Sequence, residues 1–316
     1  MLKRTLFFGN PAHLYMRKQQ LCISQSKQEE TDDLDKVITR PIEDIGMVVL
    51  EHKQITVTHA LLNTFMQYNV AVVSCDDTFL PSGMFMPLSS NHIQSERFRT
   101  QLEASEPLKK QLWAQTVAAK LQNQSAVLQL VKNSCVIQER IETLTNTIKL
   151  LNNLAADVKS GDSGNYEARG AAVYWQNIFP EEMNFSRDRF GIPPNNLLNY
   201  GYAIVRACVA RALVGSGLLP TYGIHHKNKY NAYCLADDIM EPYRAFVDKL
   251  VLEIMKQESY TELNLGIKQQ LLKLPEHTVL INGEESPLMV AAQKTSASLV
   301  KCFDGSRKKI LYPEIE

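Results

Sequence analysis

The chain has 316 residues, 45% of them hydrophobic and 22% charged, with 34 basic and 34 acidic side chains and a formal net charge of zero. That length exceeds the range in which one hydrophobic core keeps growing, so two domains are expected. Residues 1–100 carry 10 basic and 11 acidic side chains and the remainder 24 and 23, which excludes nucleic-acid binding through bulk charge and leaves only a local basic patch. The cysteines Cys22, Cys75, Cys135, Cys208, Cys234 and Cys302 are scattered, with no C-x-x-C pair. That is neither a zinc framework nor a secreted disulfide scaffold, and it fits reduced thiols in the cytoplasm. The first apolar run breaks at Gly9-Asn10-Pro11, too early for a signal peptide, and no window reaches the apolar length of a membrane span. A soluble cytoplasmic protein without membrane attachment is expected.

Residues 1–75 read as mainly β. Thr5–Phe8, His13–Arg17, Leu21–Ser24, Gly46–Leu50 and Ile55–Thr58 are short, rich in β-branched and aromatic residues, and spaced by turn signals. Ser26–Asp35 is polar and acidic, a solvated loop. Ala60–Tyr68 has helical spacing, and Asn69–Ser74 reads as a buried strand. Pro81-Ser82-Gly83 and Pro87 mark a loop, and the domain boundary is placed near residue 100.

From Glu106 to Ser160 there is no Gly and only Pro107, and apolar residues from Leu108 to Leu154 recur mostly at three- and four-residue steps, as in two or three amphipathic helices. Gly161-Asp162-Ser163-Gly164 lacks the lysine and spacing of a phosphate loop and reads as plain loop. In the next helix, opening at Tyr166, Glu167 is followed by Gly170 and Ala171, so the face carrying the acid has almost no bulk. A neighbouring helix or a ligand can approach it closely. Asn195–Val214 reads as a central buried helix ended by Gly215-Ser216-Gly217. Trp175, Tyr200 and Tyr202 read as core. Thr278–Val290 suggests a small hairpin with a loop longer than the tightest type, and a last helix covers Val290–Cys302. Lys301, Arg307, Lys308 and Lys309 form a basic cluster that reads as a solvated tail.

Between these helices lies the stretch richest in chemistry. Gly223-Ile224-His225-His226-Lys227 is a short basic loop with two histidines, and Glu241 follows His226 by fifteen positions. Asp238 and Glu241 are three apart and share a helical face. Pro242 is tolerated only near a helix start, so the helix is expected to begin at Asp237 or Asp238 with that carboxylate as N-cap. Imidazole beside carboxylate suits a metal; the plainer alternative is a cap, a surface Glu and two loop histidines.

Three pieces then coincide: Tyr166-Glu167-Ala168-Arg169-Gly170, Gly223-Ile224-His225-His226, and Asp237-Asp238-Ile239-Met240-Glu241-Pro242-Tyr243-Arg244. In this order and spacing the chain resembles the CRISPR adaptation integrases, the Cas-one family, over nearly its whole length, and most closely the branch found with RNA-guided effector nucleases (type II systems). Arg40–Leu50 and Thr295–Cys302 resemble the same family. The resemblance implies an α+β fold, with an N-terminal β-rich, sandwich-like domain (residues 1–100) followed by a larger all-helical catalytic domain (residues 101–316). It implies Glu167, His226 and Glu241 as metal ligands and catalytic residues, with Mg2+ or Mn2+ as cofactor. Both the three-residue step from Gly223 and the fifteen-residue step to Glu241 favour His226 over its neighbour His225. Asp238, Arg244 and Lys227 are candidate supporting residues, Asp238 behind the ligands or as a cap and the two cations toward phosphate. The implied partners are double-stranded DNA (spacer precursor and CRISPR array), a second copy of the chain, the second adaptation protein (Cas-two family) and the RNA-guided effector nuclease.

The implied activity is insertion of spacer DNA into a CRISPR array, in antiviral defence, by attack of a 3′-hydroxyl on a phosphodiester. A divalent ion held by two carboxylates and an imidazole would neutralise charge gathering on the phosphate oxygens. The same residues would serve a hydrolytic metal-dependent nuclease, the main rival reading. A metal-free DNA-binding scaffold is the other, against which the intact Glu167, His226 and Glu241 count.

Overall fold

Short apolar strands make the first unit, Met1–Gln94, in the computed structural model, which describes residues 3–24, 37–77, 79–188, 191–256 and 262–316. They are β1 (Arg4–Phe8), β2 (His13–Arg17), β3 (Gln20–Ser24), β4 (Ile38–Pro41), β5 (Ile45–Leu50), β6 (Thr56–Val57), β7 (Ala71–Cys75) and β8 (Pro81–Phe85), with helix α1 (His59–Gln67) between β6 and β7. One sheet has the order β1-β5-β7-β8 and the other β4-β3-β2-β6. β5 pairs in parallel with β1 and β7, and Met47, Val48 and Val49 along it are fully buried. A strand covered on both faces needs such an uninterrupted apolar run. Leu14 and Leu21 of one sheet, Val48 and Val72 of the other, and Leu61 and Phe65 of α1 share one core. One expectation is corrected, and one strand adds to those read from the sequence. Pro81–Phe85 is a strand, with its proline at the first position of a sheet edge, where a missing N–H is tolerated. Ile38–Pro41, exposed along its length and so lacking an apolar signal, is a strand too. Ser26–Asp35 lies outside the described residues.

The second unit, Ser95–Glu316, is mostly helical. Its elements are α2 (Gln94–Leu102), α3 (Glu106–Asn133), α4 (Gln138–Asp157), α5 (Tyr166–Asn177), α6 (Asn195–Gly215), α7 (Cys234–Met240), α8 (Arg244–Lys256), α9 (Leu265–Leu272), β9 (Thr278–Ile281), β10 (Glu284–Pro287), α10 (Leu288–Phe303) and β11 (Pro313–Glu314). Residue 100 falls inside α2. The long apolar stretch predicted as two or three helices is two, α3 and α4, packed on each other. Ser105 caps α3 by accepting from the Leu108 N–H, with Pro107 in the first turn. α6 is long and apolar enough to cross a membrane, but 83% of its apolar window is buried, against α7, α8, α9 and α10. It is the centre of the helical core.

The C-terminal region departs from expectation in three places. The β9–β10 hairpin turns on Asn282-Gly283 alone, both at positive φ (55° and 75°), which is the tightest two-residue loop rather than a longer one. Leu288–Val290 opens α10 instead of extending a strand. The segment after the basic cluster is anchored rather than free: Ile310 and Tyr312 are buried, β11 pairs with β9, and the Tyr312 hydroxyl lies 2.8 Å from Thr116 Oγ1.

Candidate active site

Glu167 stands in the first turn of α5, where the helix dipole favours a carboxylate. The cap of α5 comes from Asp162, in the stretch read as plain loop: its carboxylate accepts from the Tyr166 N–H (2.7 Å) and the Glu167 N–H (3.1 Å). The bare face seen in the sequence admits α3. A Cβ added at Gly170 would lie 2.1 Å from Leu121 Cδ2. Gly170 leaves room for the Leu121 side chain against α5, and the packing of α5 on α3 sets Glu167 beside Lys120, with Nζ 2.8 Å from Oε1.

Glu241 sits where α7 gives way to α8. Residues Glu241–Tyr243 form a single 3-10 turn, and Pro242 falls at its start, so the two helices do not run on as one. The expected cap is corrected here. The helix begins at Cys234, its N-cap position is Tyr233, and both aspartates lie inside it. The break is pinned from two sides. Asn123 of α3 donates to the Pro242 carbonyl (3.0 Å), and the buried Tyr243 hydroxyl meets Thr295 Oγ1 (2.6 Å). Glu241, 5% exposed, takes Lys120 on Oε2 (2.6 Å) and Arg244 on Oε1 (2.8 Å). Burial pushes its carboxyl up, and Arg244 and Lys120 outweigh that and hold it at about 2. For Lys120 the balance is the mirror image: burial works against the ammonium, while Glu241 and Glu167 prevail and raise its pKa.

His226 is placed by Asp238, which is fully buried. Asp238 Oδ2 accepts from the Ile224 and His225 N–H groups (2.7 and 2.9 Å), and Oδ1 from the His226 N–H (3.2 Å). Oδ1 also meets His226 Nδ1 at 2.5 Å, which raises the imidazole pKa against the effect of burial. This fixes the ring with Nε2 directed away from the aspartate. Gly223 makes the cradle possible: a Cβ there would lie 2.5 Å from the His226 carbonyl oxygen and 2.7 Å from Asp238 Oδ2. His225 turns elsewhere. Its ring stacks on Trp113 of α3 (centroids 4.1 Å apart, 2° between planes), and burial lowers its pKa.

The structure thus joins Glu167 and Glu241 directly, through one ammonium, and sets His226 where both carboxylates influence its charge. As the side chains stand, no group of three or more His, Cys, Asp or Glu among the described residues is close enough to hold an ion. Two spaces adjoin the site. A cavity of about 220 Å³ lies over the carboxylates, lined also by Gln124, Trp175, Arg187 and Arg244. A groove of about 580 Å³ runs past His226 between Lys109, Lys227, Lys229 and Tyr230. Lys227 is largely exposed and reaches Glu106 at 3.4 Å. Tyr200 and Tyr202 are core, as read, but Trp175 is only half buried and faces the cavity. Sequence reasoning passed over Lys120, Asp162, Trp113 and Arg187. Lys120 had a signal: it lies within the apolar stripe Val117, Leu121, Leu128, where a charge needs a partner.

A helical unit that sets paired carboxylates and two arginines on one cavity, and an oriented imidazole and three lysines on an adjoining groove, is equipped for chemistry at an anionic ester such as a phosphodiester. The model of the family described as CRISPR associated protein Cas1 matches residues 6–277, and the chain belongs to that family. It is 34% identical to the CRISPR-associated endonuclease Cas1 of Neisseria meningitidis serogroup C (strain 8013), with 100% of this chain and 97% of that protein covered. Among solved structures, its fold is similar to that of a casposase bound to integration product (TM-score 0.75, 20% identity, 98% of this chain and 92% of that one). It is also similar to a CAS1 protein from Thermotoga maritima (TM-score 0.68, 15% identity, 96% and 97%) and to a chain of a Cas6-RT-Cas1–Cas2 complex (TM-score 0.73, 19% identity, 100% and 36%).

Proposed function

We propose that the chain is a divalent-metal-dependent DNA integrase and endonuclease that inserts spacer DNA into a CRISPR array. The observation that carries this reading is the convergence of Glu167 and Glu241, from separate helices, on a single cation position, with the His226 ring held by Asp238 at the adjoining groove. The residues fit Mg2+ or Mn2+. The Lys120 ammonium already marks a point within 2.8 Å of both carboxylates, and Asp238 on Nδ1 leaves Nε2 as the donor nitrogen, a common arrangement behind a metal-bound imidazole. Glu167, Glu241 and His226 Nε2 would hold the ion. When bound, it would neutralise charge on the phosphate oxygens and polarise the attacking hydroxyl.

The protein's own residues supply the rest. Asp238 keeps the His226 proton on Nδ1. Arg244 and Arg187, facing the cavity beside the carboxylates, offer planar donors to a phosphate. Lys227 and Lys229 along the groove meet the DNA backbone, and the exposed ring of Tyr230 offers a stacking surface. The 3′-oxygen bonds to phosphorus, the bridging oxygen of the cut strand departs with a proton, and no bond energy from a nucleotide triphosphate is needed. Family membership and the likeness to a chain of a Cas1–Cas2 assembly support double-stranded DNA, a second copy of the chain and a Cas-two protein as partners, with the RNA-guided effector nuclease beside them.

The test is strand transfer of a DNA with free 3′ ends into a supercoiled plasmid carrying an array, with Mn2+ and with EDTA. Joined product should require the metal and should vanish in Glu167→Ala and Glu241→Ala. Cleavage with no joined product would establish the hydrolytic nuclease instead.

A further inference from the structure

We propose that Lys120 is the resident cation of the metal-free site and that it gives up its place to a divalent ion by swinging to Gln124. This rests on the metal reading above and adds a positioning role for a residue that reading does not use. Glu167 and Glu241 come from different helices, their side chains 28% and 7% exposed, and would repel each other without a cation between them. The ammonium supplies it, at 2.8 and 2.6 Å. With Arg244 on the other oxygen of Glu241, two carboxylates are matched by two cations. A divalent ion needs the same oxygens at about 2.0–2.3 Å. Two cations cannot share that point, so one must leave. Arg244 is a rigid fork on the helix break itself, three residues from Glu241. Lys120 is a point charge on a flexible four-carbon stem.

A second observation supplies the destination. Gln124, one turn further along α3 and on the same face, is 4% exposed, and its Oε1 is buried with no hydrogen-bond partner. Such an acceptor is costly to leave empty. It lines the same cavity as Lys120, so a change of side-chain rotamer carries the ammonium from the carboxylates to the amide. The charge then remains in the cavity, beside Arg187 and Arg244, where a phosphate would lie. One lysine holds the carboxylates in register before the ion arrives and adds to the phosphate site afterwards.

The experiment is calorimetric titration of Mn2+ into the full chain without DNA, for wild type, Lys120→Met, Gln124→Leu and Glu241→Gln, with melting followed in EDTA and in Mn2+. Losing its competitor, Lys120→Met should bind Mn2+ at least about fivefold more tightly, melt lower in EDTA, and gain more from the ion than wild type does. Gln124→Leu should stay folded and bind Mn2+ more weakly, by about three- to tenfold, because the displaced ammonium has lost its acceptor. Equal or weaker binding by Lys120→Met, or unchanged binding by Gln124→Leu, overturns the proposal. If Lys120→Met folds in neither condition, Gln124→Leu decides alone. Binding in wild type that is lost in Glu241→Gln yet unaltered in the other two leaves the metal site standing and removes only the role of Lys120. No binding in any of the four removes both.

Discussion

Asp238→Asn tests how His226 is oriented, and its consequences can be worked out atom by atom. The carboxylate takes two backbone donors on Oδ2, and one donor plus the ring nitrogen on Oδ1. An asparagine must turn its NH2 toward one of these pairs. Facing Ile224 and His225 it would orphan two buried N–H groups, so the cheaper choice is to face His226. That still leaves one buried donor unpaired, at about 1–3 kcal/mol, and removes the charge from two remaining hydrogen bonds, at about 1 kcal/mol each. The sum is about 3–5 kcal/mol, or a fall in melting temperature of roughly 10 °C for a unit of this size. The chemical consequence is sharper. An NH2 donating to Nδ1 drives the ring proton to Nε2, the nitrogen required as a lone pair. Strand joining should then drop by about a thousandfold or more, as expected when an imidazole is held in the wrong tautomer. The linked pH effect has a definite sign. In wild type the raised pKa of His226 gives stability that is full below the ordinary imidazole value and lost as pH rises through the raised one; in Asp238→Asn that loss should disappear. Scanning calorimetry reads the stability and 15N NMR of the labelled ring reads the tautomer. A variant that melts within about 2 °C of wild type and keeps its proton on Nδ1 would refute the reasoning.

Three further outcomes are expected. His226→Ala should abolish metal-dependent joining, while His225→Ala, which loses a stacking contact with Trp113, should retain most of it; strand-transfer rates distinguish them. Gly170→Val should cost about 1–3 kcal/mol by overpacking against Leu121 and should weaken Mn2+ binding by carrying Glu167 away from α3, read by thermal melts and titration calorimetry. Burial raises Asp248 to about 6 despite the hydroxyls of Tyr202 and Tyr174 that bond it, so its contribution to stability is full below the ordinary carboxyl value and lost as pH rises through about 6. Asp248→Asn should therefore match wild type near pH 4 and exceed it at pH 7, by up to about 3 kcal/mol in pH-dependent melting.

What the sequence made legible follows the strength of its local signals. β5 and β7 were readable because strands buried on both faces must be continuously apolar, and α6 because nothing but a core accommodates its composition. β4 was not readable, because an exposed strand carries no burial pattern. The Glu167 face was legible as a close-approach surface, but not which helix would use it; that depends on Leu121, forty-nine residues before Gly170. The cap of α7 was misread for a similar reason. An aspartate before Glu-Pro suggests a helix start, but Asp238 spends its four hydrogen bonds on the loop behind it, and no local rule weighs a cap against a partner twelve residues upstream. Lys120 was hidden in plain view by the apolar stripe around it.

That same lysine resolves an apparent conflict between composition and function. A chain with no net charge has no general attraction for DNA, so whatever holds a polyanion must be local. Arg187 and Arg244 line the cavity with the carboxylates, and Lys109, Lys227 and Lys229 line the adjoining groove. Yet those nearest the reaction are tied up: Arg244 and Lys120 neutralise Glu241, and Arg187 is held by Asn195 and Asn199. Without a metal the inner site is close to neutral and offers a phosphate little. A divalent ion taking over the carboxylates would release the Lys120 ammonium and leave the inner site net positive where a phosphodiester would bind. Metal and DNA are then coupled through one charge balance. On the proposed metal reading the order of assembly follows from electrostatics, with the ion bound first and the phosphate drawn to the inner site after it.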